Sequence, residues 1–129
     1  MKKIAASFAI VLLALGSGAV ALDYEPFTQE RFEQLQQQDS LILVDIFADW
    51  CPTCSRQHEL LGEYQQSRDG ELHVLQVDFD QQKEWVRHFQ APRQSTLILY
   101  HGEDKLWFSV AETDRERLFH KLDEGMERQ

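Results

Sequence analysis

Cys51 and Cys54 are the only cysteines of this 129-residue chain, and two residues separate them in Trp50-Cys51-Pro52-Thr53-Cys54. An apolar run, LILVDIF, precedes them, and a helix is expected from Pro52 to about Arg68. That junction favours thiol chemistry. Free N–H groups and the dipole at a helix N-terminus stabilise a thiolate. Pro52 falls at the first helical position, where a missing N–H is no loss. Residues i and i+3 in a first turn are close enough for their sulfurs to bond. Cys51 is therefore expected to be the exposed nucleophile, and Cys54, one turn in, the buried resolving thiol. Two other readings compete with redox exchange. A structural disulfide closing so short a loop would stabilise less than the ~3 kcal/mol expected of a 15-residue loop. A soft-metal site could use Cys51, Cys54 and His58, which lies four residues on and so on the same helical side. No fourth ligand is apparent.

Asp45 is the one charge inside LILVDIF. An apolar strand favours the neutral form of a carboxyl, so Asp45 is the candidate proton acceptor for Cys54.

The elements that must position these groups follow from periodicity and breakers. Asp23 to Phe27 reads as a short edge strand, because Pro26 does not suit a central one. Thr28 is an N-cap for a helix to about Gln38, with Phe27 and Phe32 at the staple positions. Leu41 to Phe47 has the continuous apolarity of a strand buried on both faces. Strands are also expected over Leu72–Phe79, Thr96–Tyr100 and Lys105–Val110, the last two as a hairpin. Asp80 is expected to cap a short helix burying Trp85, Val86 and Phe89. Thr113 and Glu116 suggest a capping box for a last helix burying Leu118, Phe119, Leu122 and Met126. The order β-α-β-α-β-α-β-β-α defines an α/β fold, a central mixed sheet flanked by helices.

Residues 1–21 differ from the rest. Lys2 and Lys3 precede a run of apolar or small residues from Ile4 to Leu15, and Ala19-Val20-Ala21 supplies small residues. That is the pattern of a signal peptide cleaved near Ala21, with an uncleaved anchor as the competing reading. Residues 22–129 then form one domain, exported and expected to be periplasmic. Thirteen Lys and Arg against 22 Asp and Glu give a net charge of −9. Such an acidic chain is a poor nucleic-acid binder. No cofactor is implied.

The segment LVDIFADWCPTC resembles the active-site segment of the thioredoxin superfamily, and the resemblance extends from about Tyr24 to Glu124. It carries the Trp-Cys-x-x-Cys core, an Asp six residues before the first Cys, and the same element order. The resemblance implies a thioredoxin fold and thiol–disulfide exchange through a mixed disulfide, with Asp45 as the buried acid. Trp50, Pro52, Thr53, Gln94 and Ser95 would border the substrate. Two departures stand out. Many thioredoxins partner the buried acid with a Lys on the neighbouring strand, where this chain has Gln76. The family places a cis-proline opposite the cysteines, and the matching residue here is Ser95, with Pro92 three residues early. A trans peptide before Ser95 is expected, since a cis one would cost about 3–4 kcal/mol, and the Ser95 hydroxyl is expected near the sulfurs. The ADWC segment looks most like the thioredoxin-like domains of periplasmic reducing systems. A monomeric reductant of protein disulfides is thus expected, and outside the cytosol it needs an electron donor. A membrane-embedded thiol reductase would be that partner.

Overall fold

A computed structural model describes residues 24–128. The leader expected over residues 1–21 lies outside them. The elements are β1 (Tyr24–Pro26), α1 (Gln29–Gln37), β2 (Leu41–Phe47), α2 (Pro52–Ser67), β3 (His73–Asp78), α3 (Lys83–His88), β4 (Thr96–His101), β5 (Asp104–Val110) and α4 (Arg115–Met126). The expected order holds throughout. The five strands form one sheet in the order β1-β3-β2-β4-β5. The first three in that order are parallel, β4 runs antiparallel to β2, and β5 runs antiparallel to β4. Pro26 sits on an edge strand, where its missing N–H breaks no ladder.

Strand alternation sorts β2 between two cores. Leu41 and Leu43 face α2 and α4, packing with Leu61, Tyr64, Leu118 and Leu122. Ile42, Val44 and Ile46 face the other way, onto Phe32, Leu35, Val86 and Phe89. Asp45 has the parity of Leu41 and Leu43, so its carboxylate is directed at the α2 side. In the ladder it stands between Gln76 of β3 and Leu97 of β4.

Thr28 caps α1 as expected, its hydroxyl accepting from the Arg31 N–H, and the rings of Phe27 and Phe32 lie 5.5 Å apart. The other two caps differ from the sequence expectation. Asp114, not Thr113, caps α4, accepting from the Arg117 N–H at 2.9 Å. A carboxylate is the stronger cap, and the Glu112 side chain secures the Asp114 N–H. Asp80 caps nothing. Asp78 takes the N–H groups of Asp80 and Gln81, which delays α3 to Lys83 and frees the Asp80 side chain. Trp85 and Met126, expected in the core, are only partly buried.

Candidate active site

The first turn of α2 carries the reactive pair. Cys51 is its N-cap, with extended backbone, and Pro52 opens the helix. The sulfurs of Cys51 and Cys54 are joined in a disulfide, with the Cα atoms 5.3 Å apart. The Cys54 N–H donates to Cys51 Sγ at 3.1 Å. This N–H has no helical acceptor of its own, so it is free to stabilise charge on that sulfur. The exposed nucleophile expected at Cys51 is not seen in the disulfide. Cys51 is 2% exposed and Cys54 1%, because both pack with Ala48 beneath Phe47 and Phe79. What is exposed is Trp50, at 60%. Its ring is tethered rather than loose, since Nε1–H donates to Asp80 Oδ2 at 2.7 Å. Pro52 is also exposed and Thr53 half-buried, so the helix tip presents Trp50 and Pro52 beside the closed pair.

Asp45 is fully buried, but it is not the lone carboxylate expected from its strand. His58 Nε2 lies 2.6 Å from Asp45 Oδ2. Gln76 Nε2 donates to the same oxygen at 3.2 Å. Oδ1 is buried without a partner. Gln76 therefore contributes a hydrogen bond but no countercharge, and the His58 imidazole is the second partner of the same oxygen. Tyr24 packs on the His58 ring at 5.0 Å between centroids. Burial first, and the Asp45 charge second, hold its phenol far above the ordinary range. An open cleft of about 360 Å³ runs past Tyr24, Asp49, Cys54, His58 and Gln76.

The loop before β4 holds the third part of the site. Every described peptide bond is trans, and Ser95 has φ +59°, a left-handed conformation uncommon for a residue with a Cβ. Three contacts hold it there. The Ala111 N–H donates to Ser95 O at 2.9 Å. Gln57 Nε2, from α2, donates to Ser95 O and Glu112 O, each at 3.1 Å. The Ser95 hydroxyl donates to Gln94 O at 2.5 Å, within its own loop. Gln94 is half-buried beside it. Gln57 is fully buried, with Oε1 unpartnered.

The sequence reading missed Gln57, Tyr24, the Asp80 tether and the Asp45 contact of His58. Gln57 and His58 had a signal, since with Cys54 and Leu61 they repeat at i, i+3, i+4 and i+7 on the inner face of α2. The soft-metal alternative is not supported. Among the described residues no group of three His, Cys, Asp or Glu side chains is placed to hold a metal, and His58 turns Nε2 to Asp45.

A disulfide at a helix tip after the central strand, with a buried acid behind it, is the site of a thiol–disulfide oxidoreductase. The thioredoxin family model matches residues 23–124, and the chain belongs to the thioredoxin family. A thioredoxin of Alicyclobacillus acidocaldarius is 31% identical over 75 residues, covering 58% of this chain and 71% of that one. Among solved structures, Trxlp from Edwardsiella tarda is 37% identical with a TM-score of 0.70, over 76% of this chain and 96% of that one. Reduced Schistosoma mansoni thioredoxin pre-protein shares the fold at TM-score 0.63 and 22% identity, over 78% of this chain and 94% of that one.

Proposed function

We propose that this protein is an exported reductant of protein disulfides, attacking through Cys51 and closing the Cys51–Cys54 disulfide with Cys54. The observation that carries the reading is the Cys51–Cys54 pair on the first turn of α2, with the Cys54 N–H on Cys51 Sγ. In the reduced protein that N–H and the helix dipole favour the Cys51 thiolate. The thiolate attacks a substrate disulfide, forming a mixed disulfide and releasing one substrate thiolate. Cys54 gives up its proton and attacks Cys51 Sγ, the mixed disulfide breaks, and the second substrate thiol leaves. Trp50, Pro52, Thr53 and the Gln94-Ser95 loop are the surfaces a substrate chain would meet.

The reductive direction is supported by the ADWC segment and by a chain with no room for the helical insertion of disulfide-introducing periplasmic oxidants. The leader pattern over residues 1–21 supports export to the periplasm. There the oxidised protein needs a membrane-embedded thiol reductase to restore the dithiol. The test is equilibration of the purified protein with glutathione, paired with insulin disulfide reduction. A reductant sits near the thioredoxin value of about −270 mV and reduces insulin. A potential near the −120 mV of a strong oxidant, with no insulin reduction, overturns the direction. Sequencing the N-terminus of secreted material tests the leader, with Leu22 as the expected first residue.

A further inference from the structure

The cleft beside Cys54 is lined by His58, whose imidazole meets Asp45 behind it, and the exchange steps use neither. His58 lies four residues after Cys54, so both side chains stand on one face of α2, and both line the cleft. His58 Nε2 is 2.6 Å from Asp45 Oδ2. Asp45 has no exposed side-chain surface, while 28% of the His58 side chain is exposed. The imidazole is therefore the contact between a sealed carboxylate and water. With Nε2 committed to Asp45, Nδ1 is the nitrogen left for solvent.

We infer that His58 and Asp45 act as one proton-accepting unit for Cys54, in which His58 is the positioning residue that delivers the proton to water. The inference rests on the exchange reading above. In the resolving step the Cys54 S–H bond breaks and the proton passes to the unpartnered Oδ1 of Asp45. As that proton arrives, the imidazole bonded to Oδ2 releases its Nδ1 proton to cleft water. One proton leaves the thiol and one reaches solvent. The electron pair left on Cys54 forms the bond to Cys51 Sγ, and the pair of the broken mixed disulfide leaves with the substrate sulfur, which takes a proton from water.

The groups facing His58 are few. Tyr24 reaches it from β1, Asp45 from β2, Asp49 from the following loop, Cys54 from its own helix, and the neutral Gln76 from β3. Burial keeps the Tyr24 phenol protonated over the working range. Asp45, Asp49 and Cys54 are then the groups that can exchange charge with the imidazole.

The test separates the two chemical steps. Reduced protein is mixed with oxidised glutathione between pH 5 and 9, quenched with acid, and resolved by mass into the Cys51 mixed disulfide and the Cys51–Cys54 disulfide. His58→Gln keeps a donor for Asp45 but cannot carry a proton. It should slow resolution by tenfold or more, within the roughly 10²–10⁴-fold span of general acid–base catalysis. It should also remove one ionisation from the pH profile of that step. Asp45→Asn should do the same, and the double variant should be no slower than the slower single one, as for residues acting as a unit. His58→Ala should be accelerated by added imidazole, which has the cleft to enter. A His58→Gln protein that resolves at the wild-type rate with the wild-type pH profile overturns the inference, as does a His58→Ala protein indifferent to imidazole. Both outcomes leave the exchange reading standing. If instead the wild type keeps its mixed disulfide and never closes Cys51–Cys54, that reading fails first.

Discussion

Replacing Gln57 with Leu removes the two hydrogen bonds that tie α2 to the loops around Ser95 and Glu112. The two carbonyls suffer unequally. Ser95 O keeps the Ala111 N–H, whereas Glu112 O loses its Gln57 donor. A buried group left unpaired costs about 1–3 kcal/mol, and a hydrogen bond lost from an already bonded carbonyl about 0.5–1.5. Against this, Leu also removes the orphaned Oε1, whose burial costs on the order of 1 kcal/mol. The net loss is about 1–2 kcal/mol. With a urea slope of roughly 1–1.5 kcal/mol per molar for a chain this size, the midpoint of the oxidised protein should fall by about 1 M. The Ala111 amide should also exchange faster, because the Ser95 carbonyl it holds has lost its second anchor. Gln57→Glu should be worse at pH 7, as it faces a buried charge toward two carbonyl oxygens. Equal midpoints for wild type and Gln57→Leu, with unchanged Ala111 protection, would refute the clamp.

Three further outcomes follow from the geometry. Ser95→Pro, the change toward the family pattern, should destabilise the protein by more than about 1 kcal/mol, because proline is locked near φ −65° and this position holds +59°; thermal unfolding of both proteins checks it. Asp80→Ala should release Trp50 and leave stability within about 0.5 kcal/mol, as expected of an exposed site, so Trp50 fluorescence should become more accessible to a soluble quencher while the unfolding midpoint barely moves. Hydrogen bonds from Arg68, and then from Tyr64, hold the Asp123 carboxyl below its ordinary range. A depressed folded pKa gives stability that is full above the unfolded value of ~3.9 and is lost as pH falls through the folded value. Asp123→Asn should therefore cost up to about 1 kcal/mol at pH 7, with the difference shrinking as pH falls through the depressed folded value, which urea unfolding at pH 7 and across the acid range measures.

The fold was legible because its signals are local. LILVDIF marked a strand buried on both faces, Pro52 marked the start of α2, and Thr28 with Phe27 and Phe32 marked the start of α1. The cap at Asp114 was misplaced by one residue because Thr113 and Glu116 mimic a capping box that the Glu112 carboxylate displaces. The cysteine pair and Asp45 were legible from type and spacing. The environment of Asp45 was not. Strand parity sends its side chain toward α2, but which helix residue meets it depends on how α2 lies across the sheet, a tertiary quantity. His58 was thus singled out only as a possible metal ligand, and Gln57 was passed over despite its inner-face spacing on α2. Ser95 was identified as the departure from proline, but its left-handed backbone depends on partners at Gln57 and Ala111 that are distant in sequence.

The central claim is that Cys51 attacks and Cys54 resolves. Trapping with Cys54→Ser, expressed as the full chain in a bacterial host and quenched with acid, tests it most directly. The account predicts mixed disulfides between Cys51 and host proteins that dithiothreitol releases, and none with Cys51→Ser. Adducts carried equally by Cys51→Ser through Cys54, or no adducts from either variant, would contradict it.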